Sequence, residues 1–400
     1  MTTISGDIDG FVAAGYEGVR DAFARNFAEH GEVGATFAAY VDGRQVVDLA
    51  GGTTTPEGDT PSDSRLYTGD TLQVVFSSTK GAAAACANLL VQRGELDLAA
   101  PVVEYWPEFG QAGKDRVPTE WLLTHQVGVP TVDVALTAEQ VYEREPLIEA
   151  LAAQAPLWEP GTAHGYHAIT YGHLVSELVR RIDGRTVGAF FADEFAAPLG
   201  LDWWIGLPEE QESRVAPMIA MNPGGPTLAD MLGPDELVVR ALTVNGAFSD
   251  LATEANTRAY RAAEIPAANG VANARALARF YAALIGPVEG GVEGGPSAAM
   301  LSAATVDEAR RCRTSGTDRV LSFAGMESES TFGLGFMTPG SFSPMGGGRT
   351  FGHYGAGGSL GFADPETGIA IGYVMNKMNA GLNDDPRSNG LIAAVYAATQ

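Results

Sequence analysis

Ser77 and Lys80 stand three residues apart in the run Phe76-Ser-Ser-Thr-Lys80, at the head of an alanine-rich stretch. On a helix that spacing puts both side chains on one face, where an ammonium can reach a hydroxyl. A serine at a helix N-terminus also lies at the positive end of the dipole, which favours an alkoxide and a developing oxyanion. A lysine partly desolvated there loses its proton near neutral pH and acts as a base. The pair is therefore suited to nucleophilic acyl transfer. The plain alternative makes Ser77 an N-cap and Lys80 a solvated first-turn residue, and S-x-x-K taken alone favours it, because the pattern occurs by chance in many proteins.

Other constellations are weaker. Gly357-Gly-Ser-Leu-Gly361 matches the G-x-S-x-G nucleophile elbow, but that motif needs a strand–turn–helix with an acid and a histidine following. Here the segment runs into a strand and no histidine follows Ser359, so Ser359 reads as a strand serine near a pocket. The histidines at 30, 125, 164, 167, 173 and 353 show no H-E-x-x-H, and His164 with His167 fits a hydrogen-bonded loop better than a metal site. Neither a Walker A loop nor a Rossmann glycine fingerprint is present. No metal and no cofactor is expected. Trp106, Trp121, Trp158, Trp203 and Trp204 read as core or pocket-wall aromatics, with Trp158 the best placed to touch a substrate.

The elements that must position these residues follow from periodicity. Residues 35–41 and 45–49 are β-rich runs around Asp42-Gly43, a two-residue hairpin signal. A strand is expected at 72–76, then a helix from 80 to 93 with Gly94 as its stop. The middle, roughly 98–286, is mostly helix and loop; a helix over 171–182 ends at Gly184, and Asn273 caps another. The glycine-rich stretch 286–296 reads as a flexible junction. Strands are then expected at 331–337, 359–363 and 369–375, and a closing helix at 391–398. Strands at both ends with helices between predict one antiparallel sheet built from both termini.

The chain has 400 residues and ordinary hydrophobic and charged fractions, 45% and 18%, with 50 glycines as its oddity. Its net charge of −24 opposes binding to phosphate backbones and anionic membranes. Cys86 and Cys312 are too few for a disulfide framework. The first residues show no signal peptide and no stretch reaches the length of a membrane span, so a cytoplasmic protein is expected. The sequence leaves its oligomeric state open.

Several segments in order resemble the serine β-lactamase and penicillin-binding-protein superfamily, in particular the esterases that look like class C β-lactamases (family VIII carboxylesterases). They are the hairpin at Asp42-Gly43, Phe76–Lys80, Leu122-Leu-Thr-His-Gln-Val-Gly128, Gly161-Thr-Ala-His-Gly-Tyr-His-Ala168, Pro198-Leu-Gly-Leu-Asp202 and Gly352-His-Tyr-Gly-Ala-Gly-Gly358. The resemblance spans about residues 30–398. It implies an α/β (α+β) β-lactamase-like fold, an antiparallel sheet flanked by helices plus a mostly helical domain. The corresponding division is a discontinuous sheet domain, 1–97 with 297–400, and a helical domain, 98–296.

The same resemblance makes Ser77 the acylated nucleophile and Lys80 its base partner. Tyr166 becomes the tyrosine that shuttles a proton, its pKa lowered by a cationic neighbour such as Lys80. The oxyanion donors become the amides of Ser77 and Ala356. His353, Tyr354, Gly355, Trp158 and His125 are the implied substrate-binding residues. Two positions depart from the β-lactamase pattern: Ala168 replaces an asparagine, and His353-Tyr354-Gly355 replaces Lys-Thr-Gly. Both changes favour a neutral ester over a penicillin. A short-chain ester hydrolase acting on a small molecule is thus expected. The rivals are a β-lactamase, D-peptidase or linear-amide hydrolase, an acyltransferase, and a catalytically dead scaffold.

Overall fold

The computed structural model describes residues 8–55, 64–290, 298–379 and 384–399. Its main sheet has six antiparallel strands in the order β1-β3-β2-β9-β8-β7. The first three, β1 (Asp9–Val12), β2 (Gly34–Val41) and β3 (Arg44–Gly52), come from the N-terminal part. The last three, β7 (Phe351–Tyr354), β8 (Leu360–Asp364) and β9 (Ile369–Met375), come from the C-terminal part. Hence β2 pairs with its hairpin partner on one side and with β9 on the other, closing one sheet from both ends of the chain. Asp42 and Gly43 both take positive φ, 49° and 74°, which is the turn whose twist suits a two-residue hairpin.

Strand β2 is buried along almost its whole length, and its small side chains let helices cover both faces. Ala35, Phe37 and Ala39 meet Val19 and Phe23 of the Glu17–Glu29 helix and Leu391 and Val395 of the Pro386–Ala398 helix. Ala38 and Tyr40 face the Ala274–Ile285 helix, which brings Leu277, Ala278 and Tyr281 to the opposite side. That helix, capped by Asn273 as expected, packs on the sheet although the sequence grouped it with the helical segment 98–296. The expected junction at 286–296 lies partly outside the described residues.

A second sheet of three short strands, β4 (Gln73–Val74), β5 (Trp203–Trp204) and β6 (Val271–Ala272), runs in the order β4-β6-β5. The strand expected at 72–76 is therefore only two residues long. It stops because Phe76 adopts φ 42° and opens a 3₁₀ turn over Phe76–Thr79 that leads into the Lys80–Gln92 helix. The strand expected at 331–337 does not form. Gly333 and Gly335 interrupt it, and the segment folds back on itself through the Phe332–Met337 bridge. The helix from 170 to 183 ends at Gly184 in the left-handed conformation, as the sequence expects.

Candidate active site

The 3₁₀ turn Phe76–Thr79 points Ser77 into a pocket that Tyr166, Ala168, Tyr354 and Ala356 also line. Phe76, immediately before it, holds a left-handed φ that a large side chain rarely adopts. The strained turn lies directly before the helix that carries Lys80, so serine and lysine leave the same short piece of backbone.

Lys80 is fully buried. Its Nζ donates to the carbonyls of Ala168 at 2.6 Å and Ala267 at 3.0 Å, and it lies 3.2 Å from Ser77 Oγ. Burial holds its pKa well below the ordinary lysine range. A neutral amine has two N–H donors and one lone pair. The two carbonyls take those two donors, which leaves the lone pair for the Ser77 proton, whereas an ammonium would donate to Ser77 Oγ as its third partner. An ammonium would have three donors and nothing to accept with.

Tyr166 completes the group. Lys80 Nζ lies 4.7 Å from its ring centroid, and Phe332 stacks on the ring with a centroid separation of 6.0 Å. Burial pushes its phenol well above the usual tyrosine range, while a hydrogen bond with Ser77 pulls the other way. The expectation that cationic Lys80 lowers this phenol is not met. With Lys80 itself desolvated toward its neutral form, Tyr166 is held as a proton donor.

The residue missing from the sequence reading is Asp318. Its buried carboxylate accepts from Tyr166 N at 3.0 and 3.1 Å, from Val320 N and Leu321 N at 2.9 Å each, and from Ser330 Oγ at 2.6 Å. It ties the tyrosine loop to a segment far away in sequence. Asp318→Asn, which puts an amide donor among these donors, is expected to cut kcat about tenfold and to cost about 1–3 kcal/mol of stability. Steady-state kinetics beside thermal unfolding would check this; an unchanged kcat removes Asp318 from the account.

The remaining expected residues divide. Tyr354 and Ala356 line the pocket with Ser77 and Tyr166. Ala356 lies in the turn Ala356–Gly358 between β7 and β8. Gly355 packs beneath it, where a Cβ would stand 2.1 Å from Ser359 Oγ. His353, His125 and Trp158 are not among the pocket-lining residues. His353 is buried with Nδ1 2.6 Å from the Tyr354 carbonyl, and its ring stands 6.0 Å from that of Tyr166. His125 accepts from His167 N at 3.1 Å through Nδ1. His167 in turn accepts from Val129 N at 3.0 Å and has Nδ1 2.6 Å from the Gly165 carbonyl. Trp158 donates to the Gln126 carbonyl at 3.3 Å. These side chains build the wall behind Tyr166. Burial lowers the pKa of His125, His167 and His353, to about 3 for His167, so all three are neutral near pH 7.

Ala168 contributes through its backbone. The lost asparagine side chain leaves no amide to offer, yet the backbone carbonyl there is a principal partner of Lys80. The pocket is otherwise apolar, walled by Ile169, Leu242, Leu251, Ala268, Met337 and Phe342, and among the described residues no charged one lines it. Among the described residues, no group of three or more His, Cys, Asp or Glu could hold a metal ion. No helix among them is long and apolar enough to cross a membrane.

The chain is similar to known proteins over most of its length. A family model described as beta-lactamase matches residues 19–394. The chain is 35% identical over 370 residues to Esterase/beta-lactamase LipL of Mycobacterium tuberculosis (strain ATCC 25618 / H37Rv), covering 89% of this chain and 80% of that protein. Among solved structures, a family VIII carboxylesterase is similar with a TM-score of 0.86 and 36% identity, covering 98% of this chain and 100% of the other. A penicillin-binding protein homolog from Caulobacter crescentus is similar with a TM-score of 0.82 and 38% identity, covering 98% and 100%.

Proposed function

The chain belongs to the β-lactamase family, and from that premise we propose that it is a serine hydrolase of small, neutral, short-chain carboxylic esters. The observation that carries this reading is the pocket wall: apolar side chains surround Ser77, and among the described residues no lysine or arginine lines the pocket to anchor a substrate carboxylate.

In the proposed reaction Ser77 Oγ attacks the ester carbonyl and its proton passes to the lone pair of neutral Lys80 Nζ. The carbonyl oxygen becomes an oxyanion held by the amides of Ser77 and Ala356. As the tetrahedral intermediate collapses, the bond to the alcohol oxygen breaks and Tyr166 gives that oxygen its proton. The resulting phenolate recovers a proton from Lys80, which returns both groups to their starting state. Water then attacks the acyl-enzyme by the same route in reverse and releases the acid. Tyr166 is thereby proton donor first, because its buried phenol resists ionisation.

Amide substrates fit less well. A leaving nitrogen needs firmer protonation than an alcohol, and the extra donors the sequence offered are committed elsewhere. The Tyr354 hydroxyl donates to the Pro344 carbonyl at 3.2 Å, and His353 is turned into the protein. The ester reading therefore predicts p-nitrophenyl butyrate turnover exceeding nitrocefin turnover by about 100-fold or more in kcat/KM, a gap of roughly 2.7 kcal/mol in transition-state binding. Side-by-side rates decide it. Dominant nitrocefin hydrolysis would move the assignment to β-lactams.

A further inference from the structure

The turn that carries Ala356 rests on a buried ion cluster which has no part in the steps above. Arg387, in the first turn of the Pro386–Ala398 helix, has a side chain only 2% exposed, and its acidic neighbours Glu32 and Asp385 are equally hidden. Its Nη2 donates to the Gly357 carbonyl at 2.9 Å and to Asp385 Oδ2 at 2.7 Å. Its Nη1 donates to Glu32 Oε1 at 3.1 Å and to the Lys377 carbonyl at 2.8 Å. The Tyr373 hydroxyl of β9 donates to the other oxygen of Glu32. One guanidinium thus ties the loop before β2, the C-terminal helix and the 356–358 turn to a single point.

The turn needs such a tie. Gly357 and Gly358 both take positive φ, 82° and 128°, so backbone preference alone holds the turn loosely. The Gly357 carbonyl receives Arg387 Nη2 and also Asn379 N at 2.9 Å. A Cβ on Gly358 would stand 2.5 Å from Asp385 Oδ2 and 2.8 Å from Arg387 Nη2, so the backbone is seated directly on the cluster. Buried ion pairs are weak contributors to net stability, since desolvation offsets their attraction. Fixing one backbone geometry is a better account of this one.

We propose that Arg387 is a positioning residue for catalysis: through the Gly357 carbonyl it sets the Ala356 amide where the oxyanion forms, with Glu32 and Asp385 orienting the guanidinium. The inference rests on the reading of Ala356 as an oxyanion donor. Arg387→Lys keeps the charge but loses the planar fork. Glu32→Gln keeps the shape but removes one charged partner.

Both variants are compared with wild type after titration of active Ser77 with a fluorophosphonate, so that misfolded molecules do not count. Two quantities are then read, kcat and KM for p-nitrophenyl butyrate and the affinity of a trifluoromethyl ketone. The ketone accepts Ser77 Oγ at its carbonyl carbon, passes the serine proton to Lys80 and places the new oxyanion in the same hole.

Arg387→Lys is expected to lower kcat about 10- to 100-fold per active site, with KM within about threefold and ketone affinity falling in parallel. Glu32→Gln is expected to show the same pattern at about threefold or more, and it decides the matter should the lysine variant not fold. Wild-type kcat and ketone affinity in folded variants would overturn the proposal, as would a loss of kcat with ketone affinity intact. A wild-type protein whose Ser77 takes up neither reagent would instead defeat the hydrolase reading itself, which makes the two failures distinguishable.

Discussion

Ser77→Ala is expected to leave a folded protein that hydrolyses p-nitrophenyl butyrate about 10⁴-fold or more slowly than wild type. Folding survives because Ser77 is only partly buried and no packing depends on its hydroxyl. Lys80 Nζ keeps its bonds to the Ala168 and Ala267 carbonyls in the mutant, so no buried carbonyl is orphaned. Removing the hydroxyl that Tyr166 and Lys80 share should cost about 1–3 kcal/mol of stability, too little to unfold the protein. The chemistry does not survive, because no other pocket-lining residue pairs a hydroxyl with a neutral amine. Ser359, the serine of the G-x-S-x-G match, is fully buried and donates to the Val75 carbonyl at 2.7 Å, so it offers no substitute. Residual activity near wild type in a folded mutant would rule Ser77 out as the nucleophile.

Lys80 carries the second large effect. Lys80→Met removes the base, and Lys80→Arg keeps a cation that cannot accept a proton. Both are expected to lose about 10³-fold or more in kcat, within the range spanned by removal of a general base or a triad member. If Lys80 served as a cation, arginine would rescue activity and the neutral-amine account would fall. The pH profile gives an independent check. Burial lowers the lysine pKa, so activity should rise with pH along one acid limb lying well below the ordinary 10.5, as the amine sheds its proton. Buried His125, His167 and His353 add no limb near pH 7, and the raised phenol of Tyr166 stays protonated through that range. The sign for stability follows from the same depression. Below 10.5 the unfolded chain binds the proton that folded Lys80 has given up. Unfolding is therefore favoured as pH falls from that value toward the folded pKa, and this cost to the fold vanishes above it.

Much of this site is legible in the sequence, because its centre is local. Ser77 and Lys80 are one helical turn apart, and the hairpin at Asp42-Gly43 and the strand at 369–375 obey simple periodicities. Tyr166 and Ala356 become legible only through the ordered resemblance to a family, since neither position has a pattern of its own. What escapes is long-range. Asp318 holds Tyr166 across 152 residues, and the Ala267 carbonyl reaches Lys80 across 187, through a backbone atom that no residue type announces. The inward placement of His353 escapes for a related reason. The third-motif position suggests a side chain facing substrate, whereas the fold turns it inward and presents Tyr354 and Ala356. The missing strand at 331–337 shows the limit of periodicity where glycines at 333 and 335 let the chain reverse.

The measurement that tests the central claim most directly is mass mapping of the protein quenched with acid during p-nitrophenyl butyrate turnover. The account predicts a butyryl ester on the peptide containing Ser77, absent from Ser77→Ala and accumulating in Lys80→Arg no faster than that variant turns over. A butyryl group mapped to any other residue of the active wild-type enzyme would contradict it.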